Sequence, residues 1–203
     1  MRTPLQTLKR AVKAFEKSDC SYCLIGGHAA SLYRKIERVT RDVDFAMVAN
    51  TRAESRKLAE SVIKQLGFQP VVGFIPPTPE EGKRKSVVLI TSRPEKGSSK
   101  GLIDILLPEL PWIEDAVERA QHNRIDLGFS KVPVITPEDL IVAKCYALRN
   151  SAERFQDLDD LKEIFQAIKI LDWPYLKSRL KQHRLSIPEP IQKYAGAIAD
   201  SGL

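Results

Sequence analysis

The 203-residue chain lacks several features that would have settled its class at once. No apolar run approaches the roughly 20 residues that a membrane-spanning helix needs. Its first residues, "MRTPLQTLKRAVKAFEKSD", lack the continuous apolar centre of a secretory signal. They read instead as an amphipathic helix, with Leu5, Leu8, Val12 and Phe15 on one side. The expected address is therefore the cytoplasm, with no membrane partner. Cysteine is scarce: three residues, which fits a reducing compartment and argues against a disulfide framework. Cys20 and Cys23 form a lone "CSYC", but no second pair or histidine cluster completes the four ligands of a structural zinc site. There is no internal repeat and no long low-complexity linker.

What is present is a soluble, moderately basic composition: 43% hydrophobic, 29% charged, net charge +6. A positive balance favours polyanionic partners such as nucleic acid or nucleotides. Part of the excess is local. "EEGKRK" and "EKGSSKG" bracket "SVVLITSR", so Lys83, Arg84, Lys85, Arg93, Lys96 and Lys100 would lie on loops at either end of a strand.

Strand patterns concentrate between residues 20 and 110: "SYCLIGG", "RDVDFAMVA", "FQPVVGFIPP", "KSVVLITS" and "GLIDILLP". Helical spacing appears in "HAASLYRKIE" and in "TRAESRKLAESVIKQLG", where Thr51 is a natural N-cap and Gly67 a stop. "WIEDAVERAQH" also reads as a helix, and "KVPVITPEDL" leads to the next one. Helices dominate after Pro137, with one or two more expected in 173–200. The expected fold class is α+β: a mixed β-sheet with flanking helices over residues 1–135, followed by a helical C-terminal portion over 136–203.

Within this frame "RVTRDVDFAM" stands out. Side chains two apart on a strand share a face, so Asp42 and Asp44 point the same way with Cα atoms about 7 Å apart. Two carboxylates this close repel, and each is costly to desolvate. A solvated strand end would tolerate them. The alternative is that cations or basic side chains sit between them. Two further signals accompany the pair. "LIGGHAA" is a strand, a Gly26–Gly27 turn and a helix start, which lets backbone approach a ligand and offers free N–H groups to a phosphate. "GLIDILLP" places Asp104 in a second apolar strand, with Glu109, beyond Pro108, as the alternative third acid. Three converging carboxylates could hold two Mg²⁺ ions, or Mn²⁺.

Here the chain resembles a family. A Gly-Gly turn, a short helix, Asp-x-Asp on a strand and then a lone strand Asp form the pattern of the polymerase β-type nucleotidyltransferases. More narrowly, "GGHAASLYRKIERVTRDVDF" is similar to the signature of AbiEii-like nucleotidyltransferases, with Arg38, Thr40, Asp42 and Asp44 matching. That family also carries a Lys on one helix and an Arg/Lys-Asp-xx-Asp stretch on the next. Here "EDLIVAKCYALRNSAERFQDLDDL" supplies Lys144, Arg154, Asp157 and Asp160. The close resemblance covers about 22–47 and 136–164. It does not cover the insert 68–100 or the region after 170.

The resemblance implies a nucleotidyltransferase fold and transfer of a nucleoside monophosphate from a nucleoside triphosphate to a hydroxyl. Asp42 and Asp44 would bind the metals, with Asp104 completing the set and acting as general base. Gly26, Gly27, Arg38, Thr40, Lys144 and Asp157 would bind the nucleotide. Lys144 would neutralise triphosphate charge and Asp157 would hold Lys144 or contact base or ribose. Arg38 and Arg41 would pair with phosphates or aspartates, or lie on a solvated loop. Asp159, Asp160 and Glu163 are expected on a solvated helix face, although Asp160 matches a family position. His28 is expected to pack or lie exposed. Many members of the superfamily have Gly-Ser where this chain has Gly26–Gly27, so no serine hydroxyl reaches a phosphate there. The family includes toxins of toxin–antitoxin and phage-defence systems, so a tRNA 3′ end is one implied acceptor and a cognate antitoxin one implied partner. Competing readings are nucleotidylation of a protein or an aminoglycoside, or an inactive nucleotide- or RNA-binding regulator.

Overall fold

A computed structural model of the chain describes residues 3–36, 38–74, 87–93, 102–151 and 153–199. The basic positions Lys83, Arg84, Lys85, Lys96 and Lys100 lie outside the described residues. The chain divides into two compact units: Met1–His28 with Val39–Ile135, and Ala29–Arg38 with Thr136–Leu203.

The first unit is built on a five-stranded sheet. The strands are β1 (Ser21–Leu24), β2 (Val43–Val48), β3 (Gln69–Phe74), β4 (Val87–Arg93) and β5 (Ile103–Leu106), in the order β1-β2-β5-β4-β3. β2 and β5 run parallel and the other neighbours antiparallel. Helix α1 (Pro4–Phe15) opens with a capping box, in which Thr3 and Gln6 each accept from the other's backbone N–H. It buries Leu8, Val12 and Phe15, and Phe15 stacks on Tyr22 of β1 at 4.7 Å and meets Phe45 of β2 at 4.8 Å. Leu5, expected on that buried side, is 52% exposed. It occupies the first turn of the helix, ahead of the buried Leu8.

Helix α3 (Arg52–Gln65) begins at Thr51, whose hydroxyl accepts from the Glu54 N–H, and it lays Ala59, Val62 and Ile63 into the core. Gly67, at φ +81°, ends it. Helix α4 (Ile113–Ala120) packs against β1 and β2. A short hairpin, β6 (Arg124–Asp126) and β7 (Lys131–Pro133), then follows. Its three-residue strands carry too little alternation to be legible in the sequence.

The second unit contains α5 (Pro137–Asn150), α6 (Phe155–Ala167), α7 (Trp173–Gln182) and α8 (Glu189–Ala199). Thr136 caps α5 by accepting from the Asp139 N–H, and Pro137 occupies the first turn. Phe165 of α6 stacks on Trp173 of α7 at 6.0 Å. Among the described residues no helix is long and apolar enough to cross a membrane.

Candidate functional site

Strand β2 sets the geometry of the acidic cluster. Val43, Phe45 and Met47 are fully buried on one face, so Asp42 and Asp44 project from the other. The parallel register pairs Asp44 directly with Asp104 of β5. Glu109 follows β5 at its opposite end, so the register selects Asp104 as the partner of Asp44. In the antiparallel ladder Asp104 faces Thr91 of β4, whose hydroxyl donates to Asp104 Oδ1.

The glycine turn closes against this pair. Gly26 has φ +62° and begins α2 (Gly26–Tyr33). A Cβ at Gly26 would lie 2.0 Å from Asp44 Oδ2 and 2.7 Å from Asp44 Cβ. Only glycine fits here, on both backbone and steric grounds. The Gly27 N–H donates to Asp44 Oδ2 at 3.4 Å. The Ile25 N–H donates to the Asp44 carbonyl at 2.9 Å, locking β1 and the turn in register with β2. Thr40 donates its hydroxyl proton to the Asp42 carbonyl at 3.2 Å, shaping the approach to β2.

Electrostatically the cluster is incomplete. Asp42 Oδ1 is buried and accepts no hydrogen bond. Burial pushes the Asp104 carboxyl above its ordinary range; donation from Thr91 opposes this and the neighbouring Asp42 charge adds to it. Among the described residues, no three His, Cys, Asp or Glu side chains close on one point as a formed metal cage. Even so, three hard oxygen donors on adjoining backbone, one with an orphaned buried oxygen, suit a divalent cation of the magnesium class.

The helical unit holds the other sequence-predicted residues. Lys144 of α5 reaches Asp157 Oδ1 at 2.7 Å and Asp160 Oδ2 at 2.6 Å, both on α6. Arg34 bridges Asp160 and Asp159, the latter at 2.7 Å, and Arg38 binds Asp160 and donates to Gln156 Oε1 at 2.8 Å. Arg154 pairs with Asp157. Burial opposes ionisation of Asp157, but Lys144 and Arg154 outweigh it and hold its carboxyl below the usual range.

One expectation changes here. Asp160 and Glu163 are not on a solvated face: Asp160 is fully buried and Glu163 is buried, while Asp159 alone of the three is exposed. Residues 157, 160, 161 and 164 share the inward stripe of α6, and the cations facing it make a charged residue tolerable there. Lys144 is held by Asp157, one of the two roles expected of that carboxylate, and also by Asp160, while Arg38 pairs with an aspartate. Arg34 is the functional candidate that sequence reasoning missed. It lies between the two matched motifs, and only the fold brings it to Asp160.

The family model described as "Nucleotidyl transferase AbiEii toxin, Type IV TA system" matches residues 7–193. No curated protein matches the chain. Among solved structures, the antibiotic-resistance factor ANT(2'')-Ia is similar, with 14% identity, a TM-score of 0.53 and coverage of 98% of this chain and 96% of that one. An antigenic nucleotidyltransferase-like protein from Paracoccidioides brasiliensis aligns over 87% of this chain and 85% of its own, at 16% identity and a TM-score of 0.49. The lincosamide antibiotic adenylyltransferase LnuA aligns over 81% and 99%, at 16% identity and a TM-score of 0.48. A match spanning nearly the whole sequence, on a fold whose sheet pairs Asp44 with Asp104, shows that the chain is a nucleotidyltransferase and belongs to the AbiEii toxin family.

Proposed function

We propose that this nucleotidyltransferase transfers a nucleoside monophosphate from a nucleoside triphosphate to a hydroxyl of RNA, the 3′ end of a tRNA being the favoured acceptor, and that Asp42, Asp44 and Asp104 carry the chemistry. The observation behind this reading is the pairing of Asp44 with Asp104 beside the glycine turn, with an unsatisfied oxygen on Asp42. Divalent cations held by these carboxylates would neutralise the triphosphate and make the acceptor hydroxyl more acidic. Asp104, the register partner of Asp44, would receive the hydroxyl proton. The hydroxyl oxygen then bonds to the α-phosphorus, the bond from that phosphorus to the bridging oxygen breaks, and pyrophosphate leaves. The turn at Gly26 and Gly27 lets the start of α2 approach the triphosphate without a side chain intervening.

The helical unit contributes electrostatically. Arg34, Arg38, Lys144 and Arg154 face Asp157, Asp159 and Asp160, so the cluster keeps one positive charge in excess, which supports attraction of a polyanion. The overall charge of +6 favours RNA over a cationic drug as acceptor. A cognate antitoxin follows from the toxin family as a proposed partner. Incubation with each labelled nucleoside triphosphate, Mg²⁺ or Mn²⁺, and total cellular RNA or protein tests the reading. Label should enter RNA, vanish with chelator, and vanish for Asp44→Asn. Label in protein alone would remove the RNA acceptor, and undiminished transfer by Asp44→Asn would remove the site.

A further inference from the structure

We infer that Asp160 is a positioning residue, acting through Arg34 and Arg38 to fix the chain segment that delivers Asp42 and Asp44. The inference rests on the proposed reaction for its kinetic readout, but not for its structural one.

Residues 34–36 and 38–42, which connect α2 to β2, form no helix or strand. Apolar anchoring is missing as well: Ile36 is 64% exposed and Val39 is 92% exposed. Such a segment would be among the first to open locally. What holds it is charge. Arg34 immediately follows α2, and Arg38 lies four residues before Asp42. Both guanidinium groups donate to the one carboxylate of Asp160, which is fully buried. The same carboxylate also receives Lys144 at 2.6 Å. Beyond these, Ser31 Oγ donates to the Arg38 carbonyl at 3.5 Å and the Thr40 hydroxyl to the Asp42 carbonyl at 3.2 Å.

The arrangement is poorly explained as a stability device. Three cations on one dry carboxylate are expensive to desolvate, and buried ion clusters of this kind are commonly matched or bettered by apolar packing. Arg34 Nε and Arg38 Nε are buried and have no acceptor, a further cost. The geometry does secure a defined path. The start and the middle of the connection are bound to a single carboxylate on α6, and the forked guanidinium makes each contact directional. The glycine turn lies upstream on α2 and the two aspartates lie downstream, so the bound stretch is part of the chain that leads into Asp42.

The test is Asp160→Asn, which keeps the shape and removes the charge. Three readouts are taken well below the melting temperature. Amide hydrogen exchange of residues 38–44 should quicken at least about tenfold. Mn²⁺ affinity, measured without any nucleotide, should weaken. In the transfer assay kcat should fall at least about tenfold, since small misplacements of reacting groups are costly. KM for the triphosphate should not rise in step, because the substitution increases the positive charge of the cluster. A purely electrostatic role predicts the opposite split, a lower KM with kcat kept, and that result would overturn the inference. So would a lower melting temperature with unchanged exchange, Mn²⁺ affinity and kcat per folded molecule. Should Asp160→Asn fail to fold, Arg38→Gln removes one arm only and should reproduce the faster exchange at 38–44. Exchange at the wild-type rate there would refute positioning. If the wild type transfers no nucleotide at all, the proposed reaction fails, while exchange and Mn²⁺ affinity still decide the role of Asp160.

Discussion

Gly26→Ala separates two costs that the glycine turn combines. The first is conformational. At φ +62° an alanine pays about 1–2 kcal/mol for the left-handed region. For a protein of this size that corresponds to a drop of about 2–8 °C in melting temperature. The second is steric. The new methyl would stand 2.0 Å from Asp44 Oδ2 and 2.5 Å from its Cγ, so the carboxylate must move about 1 Å or more to reach ordinary contact. Rotation of the side chain alone is insufficient, because Asp44 Cβ is only 2.7 Å away and is carried by the β2 backbone. A displacement of that size at a reacting group costs about a hundredfold in rate. Gly128→Ala is the control. Gly128 has φ +78°, yet a Cβ there meets nothing within 4 Å, so it incurs the conformational cost alone. Thermal melts and initial rates of nucleotide transfer on both variants decide the matter. Both should melt lower than wild type, Gly26→Ala by the larger margin, and only Gly26→Ala should lose transfer. Equal melting losses with transfer intact in both would refute the claim that the turn is shaped around Asp44.

Asp104→Asn, in metal-free protein, should melt higher than wild type at pH 7. The Asp104 carboxyl has a folded-state pKa above its unfolded value of about 4, so its ionisation weakens the fold as pH rises through that interval, and the gain should disappear below about pH 4. An equal or lower melting temperature for the variant at pH 7 would contradict this, and the variant should have lost transfer in either case. Replacing Lys83, Arg84 and Lys85 together with Ala should lower RNA affinity and reduce the slope of log affinity against log salt by about 2, at roughly 0.7 per single-strand phosphate contact. Identical slopes in a filter-binding titration would remove this basic stretch from the acceptor site, and triphosphate affinity should change little.

Much of the acidic cluster was legible in the sequence because it depends on local rules. Alternation along a strand puts Asp42 and Asp44 on one face whatever the rest of the chain does, and a Gly-Gly step after an apolar run announces a turn. Pairing Asp104 with Asp44 requires more, since a lone strand acid says nothing about its neighbour; family resemblance supplied what spacing could not. The charge network was legible only in part. Asp160 lies in "DLDD", where a run of acids ordinarily marks a solvated face, and its burial depends on Lys144, Arg34 and Arg38 arriving from distant positions. No periodicity encodes that. Arg34 went unseen for the same reason. The β6–β7 hairpin escaped because its strands are too short to carry a pattern, and Leu5 because one residue of a first turn can fit the apolar stripe and still face water.

The sheet unit carries an electrostatic deficit that narrows the substrate class. In the sheet unit the deficit is of cations. Asp42 presents a buried oxygen without a donor, and Asp104 is pressed toward its neutral form by burial and by Asp42. A divalent cation held by these carboxylates would address it and leave positive charge for a phosphate to meet. The proposed substrate, a nucleoside triphosphate accompanied by divalent cations, brings the missing positive charge with it. Groups left unsatisfied in the free protein are where such a ligand gains most on binding. The protein should therefore gain thermal stability from metal and triphosphate added together beyond the sum of what either gives alone, because binding to the native state raises stability by mass action and each partner strengthens the other's site.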